Sequence, residues 1–330
     1  MLFEKYRLVA MPPATWAELV IDKDACDGCG RCVRACPIQL LEVHEKTSRS
    51  NERYDTFRCL TCENCVAVCP KNAIKIEKDY RVPKGFWKNT DLFTGGKTHP
   101  APLLRHDGKN FNDFEKDLTE TEKVIYRRRS VRLFKNKPVP KETIRRLIEA
   151  ARFAPSAGNG QPCKFLVVTN REINRKVDEK CANILKLINW LYAGQNRWRK
   201  ILISILSFVS ASKWDQRPIA AMEKVRMTDG VITFDAPAVI HILKDKRGIS
   251  HPDIDAAIAA HNLVLAAHSL GLGTCYIGFI ASTVPYARSV KKILGIGYPY
   301  EIVTSICVGY PKLAYDVPVP RAPAAVDWIE

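Results

Sequence analysis

Residues 26–37 read CDGCGRCVRACP, and residues 59–70 repeat the same arrangement as CLTCENCVAVCP. In each run two residues separate the first three cysteines, three residues separate the third from the fourth, and a proline follows. Thiolates at this spacing are typical of [4Fe–4S] ligation. The two runs therefore predict two such clusters. The eight candidate ligands are Cys26, Cys29, Cys32, Cys36, Cys59, Cys62, Cys65 and Cys69.

Other uses of these cysteines fit the pattern less well. A structural zinc site needs four ligands in all, usually from two Cys-x2-Cys pairs, not two runs of four that each end in proline. A disulfide framework needs an oxidising compartment. The first residues, MLFEKYR, show neither the basic segment nor the apolar stretch of a secretory signal. We therefore expect a cytoplasmic protein.

Up to about residue 80 the chain resembles a bacterial two-cluster ferredoxin. The segments after the two prolines also match, because residues 38–43 and 72–77 are short alternating runs suited to a strand pair. In two-cluster ferredoxins the fourth cysteine of each run binds the other cluster. The resemblance implies one cluster on Cys26, Cys29, Cys32 and Cys69, and a second on Cys59, Cys62, Cys65 and Cys36.

Charge divides the chain unevenly. Of 330 residues with a formal net charge of +16, residues 1–80 contain 12 basic and 12 acidic ones, so all the net charge lies in residues 81–330. Clusters with thiolate ligands add negative charge to the first segment, and we expect the two parts to attract each other. The basic residues are scattered and accompany no zinc-finger, RNP or helix-turn-helix signature, which argues against nucleic acid as a partner.

The sequence predicts no transmembrane segment. The longest apolar stretch of the middle region is residues 201–209, which is much shorter than the ~20 residues needed to span a bilayer. A ferredoxin-like domain over residues 1–80 leaves room for one larger domain. Residues 81–118 are rich in Pro, Gly, Asn and Asp without a regular period, and predict a linker. Residues 119–330 form the larger domain.

Mixed helix and strand signals mark the larger domain as α+β. Thr119 and Glu122 form a capping box that opens a helix ending near residues 127–130. A second helix follows Pro140 and stops at Pro155, and a third, over residues 253–270, is apolar nearly all round, as at a subunit interface. Gly271 is its predicted C′ residue. The predicted strands are residues 165–169, 238–242, 274–277 and 302–308.

Three arginines and a serine stand together at the end of the first helix, as Arg128-Arg129-Ser130-Val131-Arg132. Guanidinium groups donate paired hydrogen bonds to phosphate, and a hydroxyl adds a neutral donor. An Arg-rich helix end can also be a solvated last turn that compensates the helix dipole. Taken alone, the segment fits either reading. A phosphate pocket is favoured when other features of the same site occur in the sequence.

Such features follow, and with them residues 119–330 resemble the FMN-dependent nitroreductase family. Four blocks occur in the family's order. They are Arg128-Arg129-Ser130-Val131-Arg132-x-Phe134; Ala154-Pro155-Ser156-Ala157-Gly158-Asn159-x-Gln161-Pro162; Gly271-Leu272-Gly273-Thr274-Cys275-Tyr276-Ile277-Gly278; and Val308-Gly309-Tyr310-Pro311-Lys312 with Pro320-Arg321. The resemblance implies an α+β homodimer with FMN bound at two sites between the subunits.

The resemblance also assigns roles by position. The phosphate of FMN would be held by Arg128, Arg129, Ser130, Arg132 and Arg321. The isoalloxazine ring would lie along Pro155, Ser156, Ala157, Asn159 and Gln161, with backbone groups of Ile277 and Gly278 at its N5 and O4 edge. Small residues permit close stacking of a flat ring, and backbone N–H groups stabilise the charge of a reduced flavin. No side chain is assigned as catalytic, because the flavin would carry the chemistry.

The resemblance is weakest over residues 171–234, so it leaves the substrate undetermined. Trp190, Tyr192 and Trp198 could cover the flavin, pack at an interface, or form a membrane-surface helix. Outside the two runs, Cys163, Cys181, Cys275 and Cys307 are expected to be buried structural thiols. His241, His261 and His268 are expected to be satisfied core histidines.

A ferredoxin segment joined to a flavin domain indicates a path for electrons. We expect a low-potential donor, ferredoxin or NAD(P)H, whose electrons pass through two [4Fe–4S] clusters to FMN, and a small organic acceptor such as a nitroaromatic. Two alternatives stay open. One is a specialised enone reductase, dehalogenase or dehydrogenase on the same scaffold, and the other is a relay that passes electrons to a partner protein.

Overall fold

The computed structural model describes residues 15–53, 59–78, 80, 111–192, 221–222, 224–225, 231–315, 317–321, 324 and 326–330. These residues form two compact units. The first contains the described parts of residues 1–127, 188–224 and 314–330, and the second those of residues 128–187 and 225–313.

Within its described residues, the ferredoxin-like part of the first unit contains four short strands and one short helix from each cysteine run. Strands β1 (Glu18–Ile21) and β4 (Ile74–Lys78) form an antiparallel pair, and β2 (Leu41–His44) and β3 (Thr47–Ser50) form a second one. Each cysteine run contributes one helix, α1 (Arg31–Ala35) or α2 (Asn64–Ala67). Buried apolar side chains surround the cysteines of both runs.

The two alternating runs do form strands, but the expectation that they pair with each other is wrong. Residues Leu41–His44 pair with the next strand along the chain through a turn at Glu45 and Lys46, which both adopt positive φ. Residues Ile74–Lys78 pair instead with the strand that precedes the first cysteine run. Alternation sets which side chains face inward, whereas the partner strand depends on turns elsewhere in the chain.

Residues 111–117, which the sequence assigned to the linker, are helical. They form α3 (Phe111–Phe114) and a 3-10 turn, Glu115–Asp117. Phe111 and Phe114 are fully buried against each other and against Tyr126. A four-residue helix is too short to show a period, so composition suggested a linker here. Residues 81–110 lie outside the described part of the chain.

The predicted capping box is confirmed at the start of α4 (Glu120–Arg127). The Glu122 carboxylate accepts a hydrogen bond from the Thr119 backbone N–H at 2.8 Å, and the Glu122 N–H donates to the Thr119 hydroxyl at 3.3 Å. Arg127 ends the helix and pairs with the carboxylate of Glu115. This pairing joins the end of α4 to the 3-10 turn within the first unit.

The second unit is built on one antiparallel sheet of four strands in the order β5-β6-β8-β7. The strands are β5 (Cys163–Val168), β6 (Ala238–Asp245), β7 (Gly273–Tyr276) and β8 (Tyr300–Gly309). All four predicted strands are thus confirmed. Strands β6 and β8 are buried along most of their length because they lie in the middle of the sheet.

Two helices cover one face of this sheet. They are α5 (Lys141–Arg152) and α7 (Pro252–Ser269), which pack together over the inward side chains of β6 and β8. The buried stripe of α5 includes Ile144, Leu147 and Ala151, as its period predicted. Helices on one side of an antiparallel sheet make the class α+β, as expected.

Helix α7 ends at the predicted place but is not buried on every side within one chain. Gly271 has φ of +71°, and the Leu272 N–H donates to the Ala267 carbonyl at 2.8 Å, as in a Schellman ending. One side of the helix faces the sheet, whereas Ile254 on the other side is 55% exposed. The uniformly apolar sequence therefore leaves an apolar outer side on the single chain.

Polar groups lie buried beside the opposite face of the sheet. Asp178, in α6 (Arg171–Tyr192), accepts hydrogen bonds from the backbone N–H and the hydroxyl of Thr233. The Thr233 carbonyl accepts a bond from the Cys307 thiol in β8 at 3.1 Å. These bonds join α6 to the sheet through residue 233. Two further helices of the unit, α8 (Gly278–Thr283) and α9 (Arg288–Ile293), follow β7.

None of the helices in the described ranges is both long and apolar enough to cross a bilayer. Trp198 and residues 201–209 lie outside those ranges. The predictions of a lid, an interface helix or a membrane-surface helix for this region therefore stay predictions.

Candidate functional site

The two cysteine runs have the same backbone bends. Gly28 and Gly30 have φ of 68°, and the equivalent residues of the second run, Thr61 and Glu63, have φ of 54° and 53°. Left-handed residues between right-handed or extended ones turn successive N–H groups toward one point, an arrangement that favours anionic sulfur sites. The two runs thus share one local backbone shape.

The sulfurs group across the two runs. Burial raises the pKa of the Cys32 thiol, and Cys69 and Cys26 raise it further. Burial also raises the pKa of Cys36, and Cys62 of the other run adds to that effect. Each fourth cysteine therefore lies within electrostatic reach of the other run's cysteines, as the crossed assignment requires. The ligation itself stays a prediction.

Hydrogen-bond donors surround these sulfurs. Backbone N–H groups point at four of them: Ser48 at Cys26 (3.3 Å), Leu40 at Cys36 (3.3 Å), Thr61 at Cys59 (3.4 Å) and Ala73 at Cys69 (3.4 Å). Such donors stabilise thiolates, so the residues present fit an anionic iron–sulfur cluster. In the described ranges no three His, Cys, Asp or Glu side chains are placed to share a single metal ion. The fit rests on the sulfur grouping and the donors.

The arginine segment is fixed to the edge strand of the second unit. Ser130 bridges to Thr274 of β7, and the Val131 N–H donates to the Thr274 carbonyl at 2.8 Å. Further along, the Lys135 N–H donates to the Tyr310 carbonyl at 2.7 Å. Residues 130–135 therefore run beside the ends of β7 and β8, and the predicted phosphate ligands are anchored through their backbone.

Two residues that the sequence did not assign to the site lie near Arg128. Burial raises the pKa of Tyr276 to about 12, and the Arg128 guanidinium acts against this shift. Burial lowers the pKa of His261, and Arg128 lowers it further. The Tyr276 hydroxyl and Nδ1 of His261 are 3.5 Å apart. His261 is exposed on α7, so its interpretation as a core histidine is wrong.

Arg132 lies near the thiols of the sheet. It opposes the rise that burial causes in the pKa values of Cys275 and Cys307, which face each other across β7 and β8. Ser130 and Arg132 are half-buried, and Arg129 is buried. The structure therefore holds the four predicted phosphate ligands of this segment at the sheet edge with different degrees of exposure.

Residues 155–161 form a tight loop after α5. The Ser156 hydroxyl accepts the Gln161 N–H at 3.0 Å, and the side chains of Gln161 and Asn159 are joined by a 3.3 Å hydrogen bond. Ala157 and Asn159 bound a 3-10 turn in which Gly158 has positive φ. Pro155, Asn159 and Gln161 are exposed, and Ser156 and Ala157 are half-buried. The loop presents small and polar groups to its surroundings, and its contact with a flat ring stays a prediction.

At the end of β7 the Ile277 N–H donates to the Ser305 carbonyl at 2.8 Å and so belongs to the sheet. Because this N–H is already bonded, the predicted backbone contact of Ile277 with the flavin would have to use another backbone group. A Cβ atom on Gly278 would meet no atom within 4 Å, so the backbone is open there. Arg321 lies in the C-terminal segment, which belongs to the first unit, where the Val317 N–H points at the Ala67 carbonyl at 3.5 Å. Its approach to a phosphate stays a prediction.

The other predicted structural residues behave as follows. Cys181, Cys275 and Cys307 are buried and Cys163 is half-buried, and none of the four forms a disulfide. His241 is completely buried, with Nδ1 2.8 Å from the Ser305 hydroxyl, and burial lowers its pKa to about 4. Cys181, Cys275 and Cys307 fit the expected structural role, whereas Cys163 is not fully buried. His241 is a core histidine as expected but is only partly satisfied, because its buried Nε2 has no hydrogen-bond partner among the described residues.

The second unit carries the arginine segment, the Pro155–Gln161 loop and the Gly-rich turn before β7 in one small fold. The sequence profile of the Nitroreductase family matches residues 125–310, which is more than half of the chain. The chain belongs to the nitroreductase family. A profile described as a 4Fe-4S dicluster domain matches residues 25–73. The protein is thus a nitroreductase-family oxidoreductase with a ferredoxin-like iron–sulfur domain.

Individual relatives agree with this division. An Archaeoglobus fulgidus protein whose name places it among NADH dehydrogenases/NAD(P)H nitroreductases is 26% identical over 59% of this chain and 87% of its own. Iodotyrosine deiodinase of Hydra vulgaris is 27% identical over 67% of this chain and 73% of its own. A ferredoxin of Pyrobaculum islandicum is 44% identical over 18% of this chain and 54% of its own.

Solved structures of the family are also similar. A nitroreductase with bound FMN from Desulfitobacterium hafniense is 24% identical and covers 64% of this chain and all of its own, with a TM-score of 0.48. The oxidised iodotyrosine deiodinase bound to FMN and 3-iodo-L-tyrosine is 21% identical over 64% of this chain, with a TM-score of 0.47.

Proposed function

We propose that this protein is an iron–sulfur flavoprotein oxidoreductase in which electrons from a low-potential donor pass through two [4Fe–4S] clusters to FMN, and from there to a small organic acceptor. One observation carries the proposal: a dicluster domain and a nitroreductase domain occur in one chain. A fused one-electron carrier supplies electrons at a fixed, high local concentration.

The first cluster would be held by Cys26, Cys29, Cys32 and Cys69, and the second by Cys59, Cys62, Cys65 and Cys36. Two observations support this crossed set. The Cys32 thiol is affected by Cys69, and the Cys36 thiol by Cys62. The matching left-handed bends of the two runs also support two equivalent cluster sites. Crossed ligation would lock the two halves of the domain together.

FMN would be held by the segment anchored to β7. Arg128, Arg129, Ser130 and Arg132 supply positive charge and hydrogen-bond donors for its phosphate, and Arg321 is proposed to join them. The loop residues Pro155, Ser156, Ala157, Asn159 and Gln161, with backbone groups at Ile277 and Gly278, would line the ring. Relatives of known structure contain FMN. When bound, FMN supplies the exchange between one-electron and hydride chemistry.

We further propose a homodimer formed through the outer side of α7. Ile254, Ala257 and His261 are exposed there, and Ile258 and Leu265 are half-buried, at the spacing of one helix face. At the end of the adjacent α5, Phe153 is 71% exposed. A second copy of the chain would cover this apolar strip. Light scattering should give the mass of a dimer for the wild-type protein and of a monomer for Ile258→Glu.

The acceptor is proposed as a small electrophile, with nitroaromatics as test substrates. The similarity to iodotyrosine deiodinases favours reductive dehalogenation as a second candidate. Both reactions would use the same flavin pocket, so they are distinguished by turnover of a nitroaromatic and of a halogenated phenol. Reduction of a partner protein without turnover of either small molecule would support the relay alternative.

The electron path is tested with the full chain under anaerobic conditions. Bleaching of the flavin is followed after mixing with reduced ferredoxin or with NAD(P)H, in the wild-type protein and in Cys62→Ala, which removes a proposed ligand of the second cluster. We expect the variant to keep its rate with NAD(P)H and to lose most of its rate with ferredoxin. Equal rates with ferredoxin in both proteins would show that this cluster does not lie on the path.

A further inference from the structure

Ser48 contacts the sulfurs of two different cysteines. Its hydroxyl lies 3.2 Å from Sγ of Cys32, and its backbone N–H donates to Sγ of Cys26 at 3.3 Å. The residue is only 3% exposed. Both sulfurs belong to the first proposed cluster, so this single residue, which lies outside either cysteine run, makes two contacts with one cluster site.

The β2–β3 hairpin places Ser48 there. Val43 pairs with Ser48 across the hairpin, and the neighbouring Arg49 faces outward, where it binds Glu42. The turn at Lys46 lies against the first cysteine loop, because a Cβ atom on Gly28 would overlap the Lys46 carbonyl oxygen. Alternation along β3 then turns the Ser48 side chain toward the cysteines.

Ligation decides the direction of the hydroxyl bond. A cysteine bound to iron is a thiolate and has no proton to donate, so the Ser48 hydroxyl must donate to Sγ of Cys32. Reduction of a cluster adds negative charge to its core and its sulfurs. A donor to a ligand sulfur stabilises the reduced form more than the oxidised form, and hydrogen bonds to the sulfurs are among the factors that set cluster potentials.

We propose that Ser48 tunes the first cluster, raising its reduction potential through the hydroxyl bond to Cys32. Both sulfurs that Ser48 contacts belong to the first proposed cluster, so we expect the effect on that cluster. Cys29 of the first cluster is exposed. Ser48 thus makes the cluster with the solvent-exposed ligand a better electron acceptor. This inference rests on the proposed ligation.

The test is a redox titration of Ser48→Ala in the full, cluster-loaded chain, followed by EPR and Mössbauer spectroscopy. The backbone N–H of residue 48 remains in this variant, so only the hydroxyl bond is lost. We expect one of the two titration steps to move to lower potential, with roughly a tenfold fall in the reduced-to-oxidised ratio at fixed potential, which equals about 59 mV for a one-electron couple. The other step should stay in place.

Three further variants make the result specific. Ser48→Thr keeps a hydroxyl and should retain the wild-type potential. Ser48→Cys has a slightly larger side chain with a weaker donor and should shift the potential in the same direction as Ala. Ser50→Ala, on the exposed end of the same strand, should change neither step. If Ser48→Ala does not bind its clusters, the difference in potential between Ser48→Thr and Ser48→Cys tests the same hydroxyl bond.

The outcomes separate this inference from the proposed function. Two clusters with unchanged potentials in Ser48→Ala and Ser48→Cys would overturn the role of Ser48 and leave the clusters established. A shift of both steps by equal amounts would also overturn it, since it would show a general change of the domain. Wild-type protein that binds no iron–sulfur cluster would instead overturn the proposed function itself.

Discussion

The side chain of Val131 occupies the space that a Cβ atom on Gly273 would need. Such an atom would lie 2.7 Å from Cβ of Val131, closer than real Cβ contacts. Val131 also donates its N–H to the residue after Gly273, and it stands between Ser130 and Arg132 of the proposed phosphate site. The position of the arginine segment therefore depends on the absence of a side chain at residue 273.

Gly273→Ala should weaken FMN binding and lower the thermal stability. Overpacking of a filled core typically costs about 1–3 kcal/mol, and the strain here pushes on the segment that carries the phosphate ligands. The measurements are flavin content after dialysis and the melting temperature. Gly297→Ala, where an added Cβ meets nothing within 4 Å, is the matched control. Val131→Gly removes both Cβ and the methyl groups that the added atom would meet, so if it does not rescue Gly273→Ala, the clash is not the cause.

Arg128→Ala and Arg132→Ala should release FMN and leave the iron content unchanged. Each lost charge-assisted contact is worth about 1.5–3 kcal/mol, or roughly ten- to a hundredfold in affinity. Flavin fluorescence gives the dissociation constant, and iron analysis gives the cluster content. Arg145→Ala removes an equal charge from the exposed side of α5 and should change neither value. Full flavin occupancy in the double variant would place the phosphate pocket elsewhere.

The crossed ligation predicts how cysteine substitutions combine. Wild-type protein should hold close to eight iron atoms per chain if both runs are occupied. Cys36→Ala should damage the cluster of Cys59, Cys62 and Cys65, so adding Cys62→Ala should cause little further loss. Adding Cys32→Ala instead should remove the remaining cluster. Iron analysis and EPR distinguish the two double variants. A larger loss of iron from adding Cys62→Ala than from adding Cys32→Ala would contradict the crossed ligation. Cys163→Ala serves as the control, because Cys163 lies outside both runs.

The sequence predicted those features of the fold that depend on residues close together along the chain. The capping box of Thr119 and Glu122, the buried stripe of α5 and the ending of α7 at Gly271 all depend on residues a few positions apart, and all three appear in the structure. The partners of β2 and β4 were not predictable in this way. They depend on the turn at Glu45 and on a strand that lies before the first cysteine run.

The candidate site likewise contains features that local sequence predicts and features that depend on contacts between distant residues. The spacing of the cysteine runs predicts iron–sulfur clusters, and the arginine segment predicts a phosphate site. Ser48 has no such relation to the cysteines and meets them only through the register of the hairpin. Likewise, Tyr276 and His261 are distant in sequence and meet because α7 packs beside β7. Neither contact corresponds to a recognisable sequence motif, so neither could be predicted from the sequence.

Asp178 gives a prediction about pH. The residue is 4% exposed, its carboxylate accepts hydrogen bonds from Thr233, and burial raises its pKa to about 6 despite those bonds. In the unfolded chain an aspartate has a pKa near 4. The native protein therefore binds the proton more tightly than the unfolded chain. The resulting stabilisation is complete below about pH 4 and is lost as the pH rises through about 6.

Asp178→Asn should remove this dependence, because the amide is neutral at every pH. The two pKa values correspond to a difference of roughly 3 kcal/mol between low and neutral pH. We expect the unfolding free energy of the variant, relative to wild type, to rise between pH 5 and about pH 6.5 and then stay level to pH 8. Anaerobic denaturant titrations monitored by circular dichroism measure it, with the exposed Asp327→Asn as control. A difference that is constant from pH 5 to pH 8 would show that the buried carboxyl does not titrate in this range.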